Sequence, residues 1–232
     1  MSITFHVPDS TPAGIGGIDE YTVLMMHGDE NPFEDSSSQG HVPSGGTRSA
    51  VESKFGGYSI ASKVSIPDSD DWYFGTGEFT IDFWAKWNTV PTSAWKEFFS
   101  QLTVDGTSNS CMTMGSATTI GYLLSFTYLP NGSAPVPVHT SGFTWDTNWT
   151  HLAVVRDNLA GLIRVFVNGT QRGSGVISGA TSFYNSSKNL TIGGRNDTAV
   201  YDIDGYLDEL RISKGIARWT TDFDPPTGPY TI

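Results

Sequence analysis

The run Phe79-Thr-Ile-Asp-Phe-Trp-Ala-Lys-Trp87 constrains the fold more than any other stretch of the chain. Phe79, Ile81, Phe83, Ala85 and Trp87 alternate with Thr80, Asp82, Trp84 and Lys86, the period of two that belongs to a half-buried β-strand. One strand is not stable alone, so the rest of the chain must supply partners. Ile163, Val165 and Val167 point one way and Arg164 and Phe166 the other. Asn168-Gly169 follows, and because both residues tolerate positive φ it predicts a two-residue hairpin turn. Asn131-Gly132 predicts another after residues 121–129. Leu152 and Val154 oppose Ala153 and Val155, which reads as a strand buried on both sides. Trp84, Trp149 and Phe166 are therefore expected in the core or on a sheet face, and His151 as a core histidine.

Composition agrees with many short strands and turns. The chain has 232 residues with Gly 26 and Pro 12, a length that suits one large β-sandwich. Its net charge of −11 excludes binding to a phosphate backbone, which needs a basic footprint, and disfavours anionic membrane surfaces. The acids are concentrated early: residues 1–47 hold seven Asp and Glu and no Lys or Arg. They read as a solvated acidic region or as the source of a divalent-cation site. A single cysteine, Cys111, cannot form an intrachain disulfide and suits assembly in a reducing cytosol. The opening Met-Ser-Ile-Thr-Phe-His-Val-Pro lacks the features of a secretory signal, and no stretch approaches the ~20 apolar residues of a membrane span. Pro8, Pro12, Gly14, Gly16 and Gly17 break regular structure at the start. Residues 1–20 are thus expected to be an extended arm, free or docked on a neighbouring subunit, with the folded domain over 21–232.

The closing segment Gly205 to Tyr230 reads as a strand, Tyr206 to Ile212, then a short helical or turn segment, Lys214 to Thr220, and a Pro-Pro stop. It resembles the closing signature of the laminin-G-like, concanavalin A-like lectin/glucanase jelly rolls. Leu24-Met-Met-His-Gly-Asp29 is similar to the first inner strand of that family, and Ser53-Lys-Phe-Gly-Gly-Tyr58 to its second. Ser65-Ile-Pro-Asp-Ser-Asp70 with Phe74 to Trp84 resembles its central stretch. Trp149 to Arg156 and Ile163 to Gly169 resemble its late hairpin. The resemblance covers roughly residues 21 to 226 and implies an all-β, two-sheet antiparallel jelly-roll sandwich with a short N-terminal arm.

The same resemblance implies candidate sites. In the family, positions matching Asp29 and Asp208 can share a structural metal, so Ca²⁺ is expected there. The alternative is that both merely cap turns and pair with Arg211 or Lys54. Related glucanases carry two catalytic carboxylates on one strand face. The nearest match, Asp202-Ile-Asp204, lacks a leading Glu and is interrupted by Gly205, so no catalytic residue is expected. Sugar binding uses exposed aromatic plates, which points to loop residues: Trp95 in the Asn88-to-Lys96 connection, Tyr184 in the Ser178-to-Asn189 loop, and Tyr201 beside Asn196 and Asp197. Asp208 to Trp219 further resembles bacteriophage structural proteins. This implies a non-enzymatic virion surface protein, a capsid decoration or tail appendage, assembled in the host cytoplasm and contacting host-surface glycan. Its expected partners are other virion proteins, a host polysaccharide and a second copy of the chain, with no nucleic acid and no membrane insertion. The alternatives are a purely structural capsid cement protein without sugar binding, and a secreted glycan-active enzyme or its binding module.

Overall fold

The computed structural model describes residues 17–92, 95–101, 112–117, 122–131 and 133–232. Cys111 and positions 1–16 of the arm lie outside the described residues. Along the chain run β1 (Thr22–Met26), β2 (Ser44–Gly45), β3 (Arg48–Ser49), β4 (Ser59–Ile60), β5 (Val64–Ile66), β6 (Phe79–Trp87), β7 (Lys96–Ser100) and β8 (Met112–Ala117). They continue with β9 (Tyr122–Tyr128), β10 (Val136–His139), β11 (Thr150–Asp157), β12 (Leu162–Val167), β13 (Thr170–Val176), β14 (Leu190–Ile192) and β15 (Gly205–Lys214). A single 3₁₀ turn, Asp70–Trp72, interrupts the described strands.

These strands form two antiparallel sheets. Sheet A has the order β13-β12-β11-β6-β15-β4-β3, with β1 also paired to β15. Sheet B has the order β10-β9-β8-β7-β14-β5-β2. The expected all-β sandwich is what forms. The alternating strand Phe79–Trp87 is central, paired with β11 on one side and β15 on the other. Phe79, Ile81 and Phe83 of sheet A meet Phe98, Phe99, Met114, Phe126 and Ile192 of sheet B in one buried cluster. Each such side chain contributes about 1.5–3 kcal/mol by leaving water. Asn168 (φ 48°) and Gly169 (φ 75°) make the β12–β13 turn, as their sequence predicts. Asn131 does lie in the β9–β10 connection, but Gly132 falls outside the described residues.

Three expectations need correction. First, β6 is not half-buried: Thr80, Asp82 and Trp84 on its outer face are as hidden as their neighbours. The cover is the stretch after β15. Trp219 stacks on Phe223 at 4.1 Å, and the pair packs on Ala153, Val155 and Phe166. Second, of the helical or turn segment expected over Lys214–Thr220, no helix forms. The strand runs on to Lys214, bends at Gly215 (φ 89°) and continues without regular structure. Third, Ser53–Tyr58 is a loop, and only Ser59–Ile60 pairs as a strand. Gly56 has φ 62°, and the amides of four loop residues bond to carboxylates rather than to a neighbouring strand.

The described end of the arm is tied down. Ile18 N–H donates to the Thr231 carbonyl at 2.8 Å, and Arg218 grips Asp19 through both terminal nitrogens. Among the described residues no helix is long and apolar enough to cross a membrane.

Candidate functional site

Asp29 follows β1, and Asp208 lies within β15. The fold brings both to the 53–58 loop, one at each end. Asp29 Oδ1 accepts the N–H groups of Gly57 (2.8 Å) and Tyr58 (2.9 Å). Asp208 Oδ2 accepts those of Lys54 (2.7 Å) and Phe55 (3.2 Å), and its Oδ1 that of Glu209 (2.9 Å). The carboxylates thereby satisfy backbone donors that an irregular loop leaves unpaired. A Cβ on Gly56 would collide with Asp29 Oδ2, so the loop needs glycine at its tightest point. Neither Asp takes the expected side-chain partner. Arg211 turns to Asp82, and the Lys54 ammonium lies 3.8 Å over the Trp84 ring. Burial pushes the Asp208 carboxyl up to about 7, with the Lys54 and Phe55 amides opposing and the Glu209 charge assisting. Glu209 has φ 50° at a bulge in β15, and its side chain holds both His27 Nδ1 and Tyr230 N–H at 2.8 Å. Among the described residues no three His, Cys, Asp or Glu side chains cluster as a metal set.

The second place is on sheet B. Trp95 does not stand free in its connection. It lies half-buried at the start of β7, its Cε2 and Cζ2 2.7 Å from where a Gly115 side chain would begin. Its Nε1–H donates to Glu97 Oε1 at 3.1 Å. The fully buried Glu97 carboxylate also receives Arg195, through Nε to Oε2 at 3.2 Å and through Nη2 to Oε1. The Arg195 guanidinium lies 4.0 Å over the ring of Tyr201, whose carbonyl accepts the Glu97 N–H at 2.9 Å. Trp95 and Tyr201, each half-exposed, are thus joined by one buried ion pair. Register places Glu97, Gly115, Ser125 and His139 in a row across β7, β8, β9 and β10 on the face away from the core. In that row Ser125 Oγ is buried and, among the described residues, has no hydrogen-bond partner.

Lys63 and Lys96 lock the loop that carries Arg195 and Tyr201. Lys63 Nζ donates to the carbonyls of Arg195 (2.9 Å) and Thr198 (3.3 Å) and to Asp202 Oδ1 (3.2 Å). Lys96 Nζ donates to the Val200 carbonyl at 3.0 Å. Asp204 accepts from the Asn88 amide at 3.0 Å. Asp202 and Asp204 therefore position a loop, the setting their sequence suggests. Glu97 and Arg195 went unread in the sequence. The only signal was Glu97 directly before the apolar pair Phe98-Phe99, where a charge carried into a sheet has to be paired.

Tyr184 is elsewhere. Its N–H bonds to the Leu129 carbonyl at 2.9 Å, and its neighbour Phe183 stacks on Tyr128 at 4.7 Å, toward the β10 edge of sheet B. A groove of about 630 Å³, which Tyr184 does not line, opens at that edge between Tyr128, Pro130, Val136, Val176 and Thr181. On the opposite sheet His151 is fully buried among Trp84, Trp219 and Phe223, its Nε2 3.4 Å from Asp82 Oδ2, and burial pushes its pKa down.

Residues 56–218 match the family described as the concanavalin A-like lectin/glucanases superfamily, Laminin_G_3. No curated protein shows significant similarity to the sequence. Among solved structures, the binding domain of Paraclostridial Mosquitocidal Protein 1 aligns with TM-score 0.64 at 13% identity, over 85% of this chain and 50% of its own. The binding domain of botulinum neurotoxin DC, in complex with SialylT, aligns with TM-score 0.61 at 17% identity, over 86% and 49%. Domain 4 of AbnA, an extracellular arabinanase from Geobacillus stearothermophilus in complex with arabinotriose, aligns with TM-score 0.63 at 19% identity, over 84% and 93%. The chain spans about half the length of the two toxin binding domains. At such identities the likeness is one of fold. The family match runs from the 53–58 loop through strands of both sheets into the segment that covers sheet A, and the chain belongs to the concanavalin A-like lectin/glucanase superfamily.

Proposed function

We propose that this domain is a non-enzymatic, lectin-like module that binds glycan on the outer face of sheet B, with Trp95 and Tyr201 as its contact surface. The observation that carries this reading is the Glu97–Arg195 ion pair, which fixes two part-exposed rings on one preformed surface. Rings held in place lose little entropy when a sugar stacks on them. Support also comes from AbnA domain 4, a module of the same fold solved with arabinotriose. The carboxylates at this surface are committed: Glu97 to Arg195, Asp202 to Lys63 and Asp204 to Asn88, which suits binding rather than hydrolysis. A glycan array on the wild type, Trp95→Ala, Tyr201→Ala and Tyr184→Ala tests it. Loss of binding in the first two variants, with Tyr184→Ala unaffected, is expected. Loss in Tyr184→Ala alone would move the site from the outer face of sheet B to the loop that carries Tyr184.

Placement on a virion surface, as a capsid decoration or tail appendage assembled in the host cytoplasm, is proposed on the resemblance of Asp208 to Trp219 alone. Co-purification with capsids or with tails tests it. Calcium shared by Asp29 and Asp208 is proposed on the family resemblance and on the convergence of both residues on the 53–58 loop. The oxygens facing that loop already accept amide N–H groups, so an ion would have to use the remaining lone pairs.

A further inference from the structure

We infer a second ligand site, on the outer face of sheet A, where Lys54, Trp149 and Tyr206 hold an oligosaccharide that carries a carboxylate. Residues two apart on a strand share a face, so Trp84 and Lys86 of β6 point outward together, as do Asp208 and Tyr206 of β15. Register sets Tyr206 beside Lys86, and both Asp208 and His151 beside Trp84. Thr150 pairs with Ala85, so Trp149, one residue earlier, falls opposite Lys86. Trp219 and Phe223 cover this face at His151. One step further along, Tyr206, Lys86 and Trp149 form a row across three strands, and each keeps part of its surface in water.

The donors beside this row lack acceptors. Lys54 Nζ lies 3.8 Å from the Trp84 ring and 5.4 Å from that of Phe55, and among the described residues it donates no hydrogen bond. The aromatic faces offset part of the cost of drying an ammonium, yet its three donors go unused. Burial lowers the Lys54 pKa, with the Asp208 charge opposing. Two more N–H groups, Trp84 Nε1 and Trp149 Nε1, are buried with no acceptor among the described residues. The neighbouring carboxylates are already engaged: Glu52 with Lys86 at 3.0 Å, and Asp208 with three backbone amides. Unmet donors are costly where water is scarce, and an anionic oxygen makes the strongest bond to them. The net charge of −11 opposes an anion at long range, so the site must act by contact. Tyr206 and Trp149 stand about 10 Å apart, two strand spacings, too far for one sugar ring to cover both. An oligosaccharide can lay successive rings on them and bring its carboxylate to Lys54.

Isothermal titration of the full chain tests this with a galacturonate trimer against galactotriose, 3′-sialyllactose against lactose, and inorganic sulfate alone. At least one acidic member is expected to bind at least about tenfold tighter than its neutral counterpart. Lys54→Met, which keeps an apolar stem on Trp84 and removes the charge, should erase that margin, and Lys54→Arg should retain it. Tyr206→Ala, whose ring belongs to neither buried cluster, should weaken the same ligand without lowering the melting temperature by more than a few degrees. Trp95→Ala and Tyr201→Ala should leave its affinity unchanged, which separates this site from the one on sheet B. The inference is overturned if neither acidic member is preferred, or if Lys54→Met binds it as well as the wild type. Loss of the acidic ligand in Trp95→Ala would place it on sheet B and also overturn the inference, while leaving the glycan reading of that surface standing. Sulfate binding as tightly as the preferred oligosaccharide would show that the rings take no part, and the saccharide assignment would fall.

Discussion

Asp82 and Asp208, on adjacent strands, show how the same side chain is driven in opposite directions. Burial works against the charge of Asp82, but Arg211 at 3.0 Å, with His151 and Tyr230, outweighs it and holds the pKa at about 2. Asp208 has no such cation, and burial raises it to about 7. In the unfolded chain both titrate near 3.8. Asp82 thus adds stability above that value, which is lost as pH falls toward 2. Asp208 does the reverse: the folded state keeps its proton while the unfolded state releases it, so its contribution is lost as pH rises from about 4 through 7. Urea unfolding across this range should show stability declining toward neutral pH, and Asp208→Asn should flatten that limb. Trp84→Ala is expected to cost roughly 3–5 kcal/mol, because the ring is 6% exposed and lies under Lys54 and Phe55. Trp95→Ala should cost clearly less, though not nothing, since its indole packs on Gly115 and bonds Glu97; melting curves of the two variants decide. The aromatic half of the site was readable because a Trp or Tyr among turn residues announces itself. The ionic half was not, since Glu97 and Arg195 meet only through the pairing of β7 with β14, which no local pattern encodes.

Elements followed the same division. The β12–β13 hairpin could be read from Asn168-Gly169 because a turn is made by adjacent residues. The outer cover of sheet A could not. Residues 216–230 carry no period, and their adjacent prolines, Pro225 and Pro226, suggest a stop rather than a lid. Only the assembled sheet gives Trp219 and Phe223 something to lie on. The alternation in β6 was correctly phased, yet its polar side is buried because Asp82 has Arg211 and Tyr230 as partners and Thr80 donates to the Ile216 carbonyl. Removing residues 216–232 is expected to abolish cooperative unfolding and cause aggregation, as Phe166, Trp84 and the Asp82–Arg211 pair would meet water together. A chain starting at Gly17 should melt like the full chain. One starting at Tyr21 should melt several degrees lower, because it lacks Asp19 for Arg218 and Ile18 for Thr231.

At the scale of the molecule, strand order was accessible only through family resemblance, because β6 lies between strands more than sixty residues away in either pairing. The overall acidity was plain from the sequence. Calcium is also a whole-molecule question, since an ion at Asp29 and Asp208 would tie β1 to β15. If it binds the folded state alone, a hundredfold excess over its Kd should add ~2.7 kcal/mol and raise the melting temperature, and EDTA should reverse this. A melting temperature indifferent to both would leave the two carboxylates as loop clamps only.

The bond between Ile18 and Thr231 has a mechanical consequence. The described chain enters and leaves the sandwich at one point, so tension applied there falls first on the contacts that join the two ends. A force applied at Ile18 and Thr231 therefore loads one corner of the sandwich rather than stretching it along its length. Pulled by its ends, it should open by peeling the Gly17–Asp19 and Tyr230–Thr231 contacts first, at low force, while the Trp95–Tyr201 surface stays intact. Single-molecule stretching with handles at the two ends would register that early step as a small, separate extension before the sheets unravel.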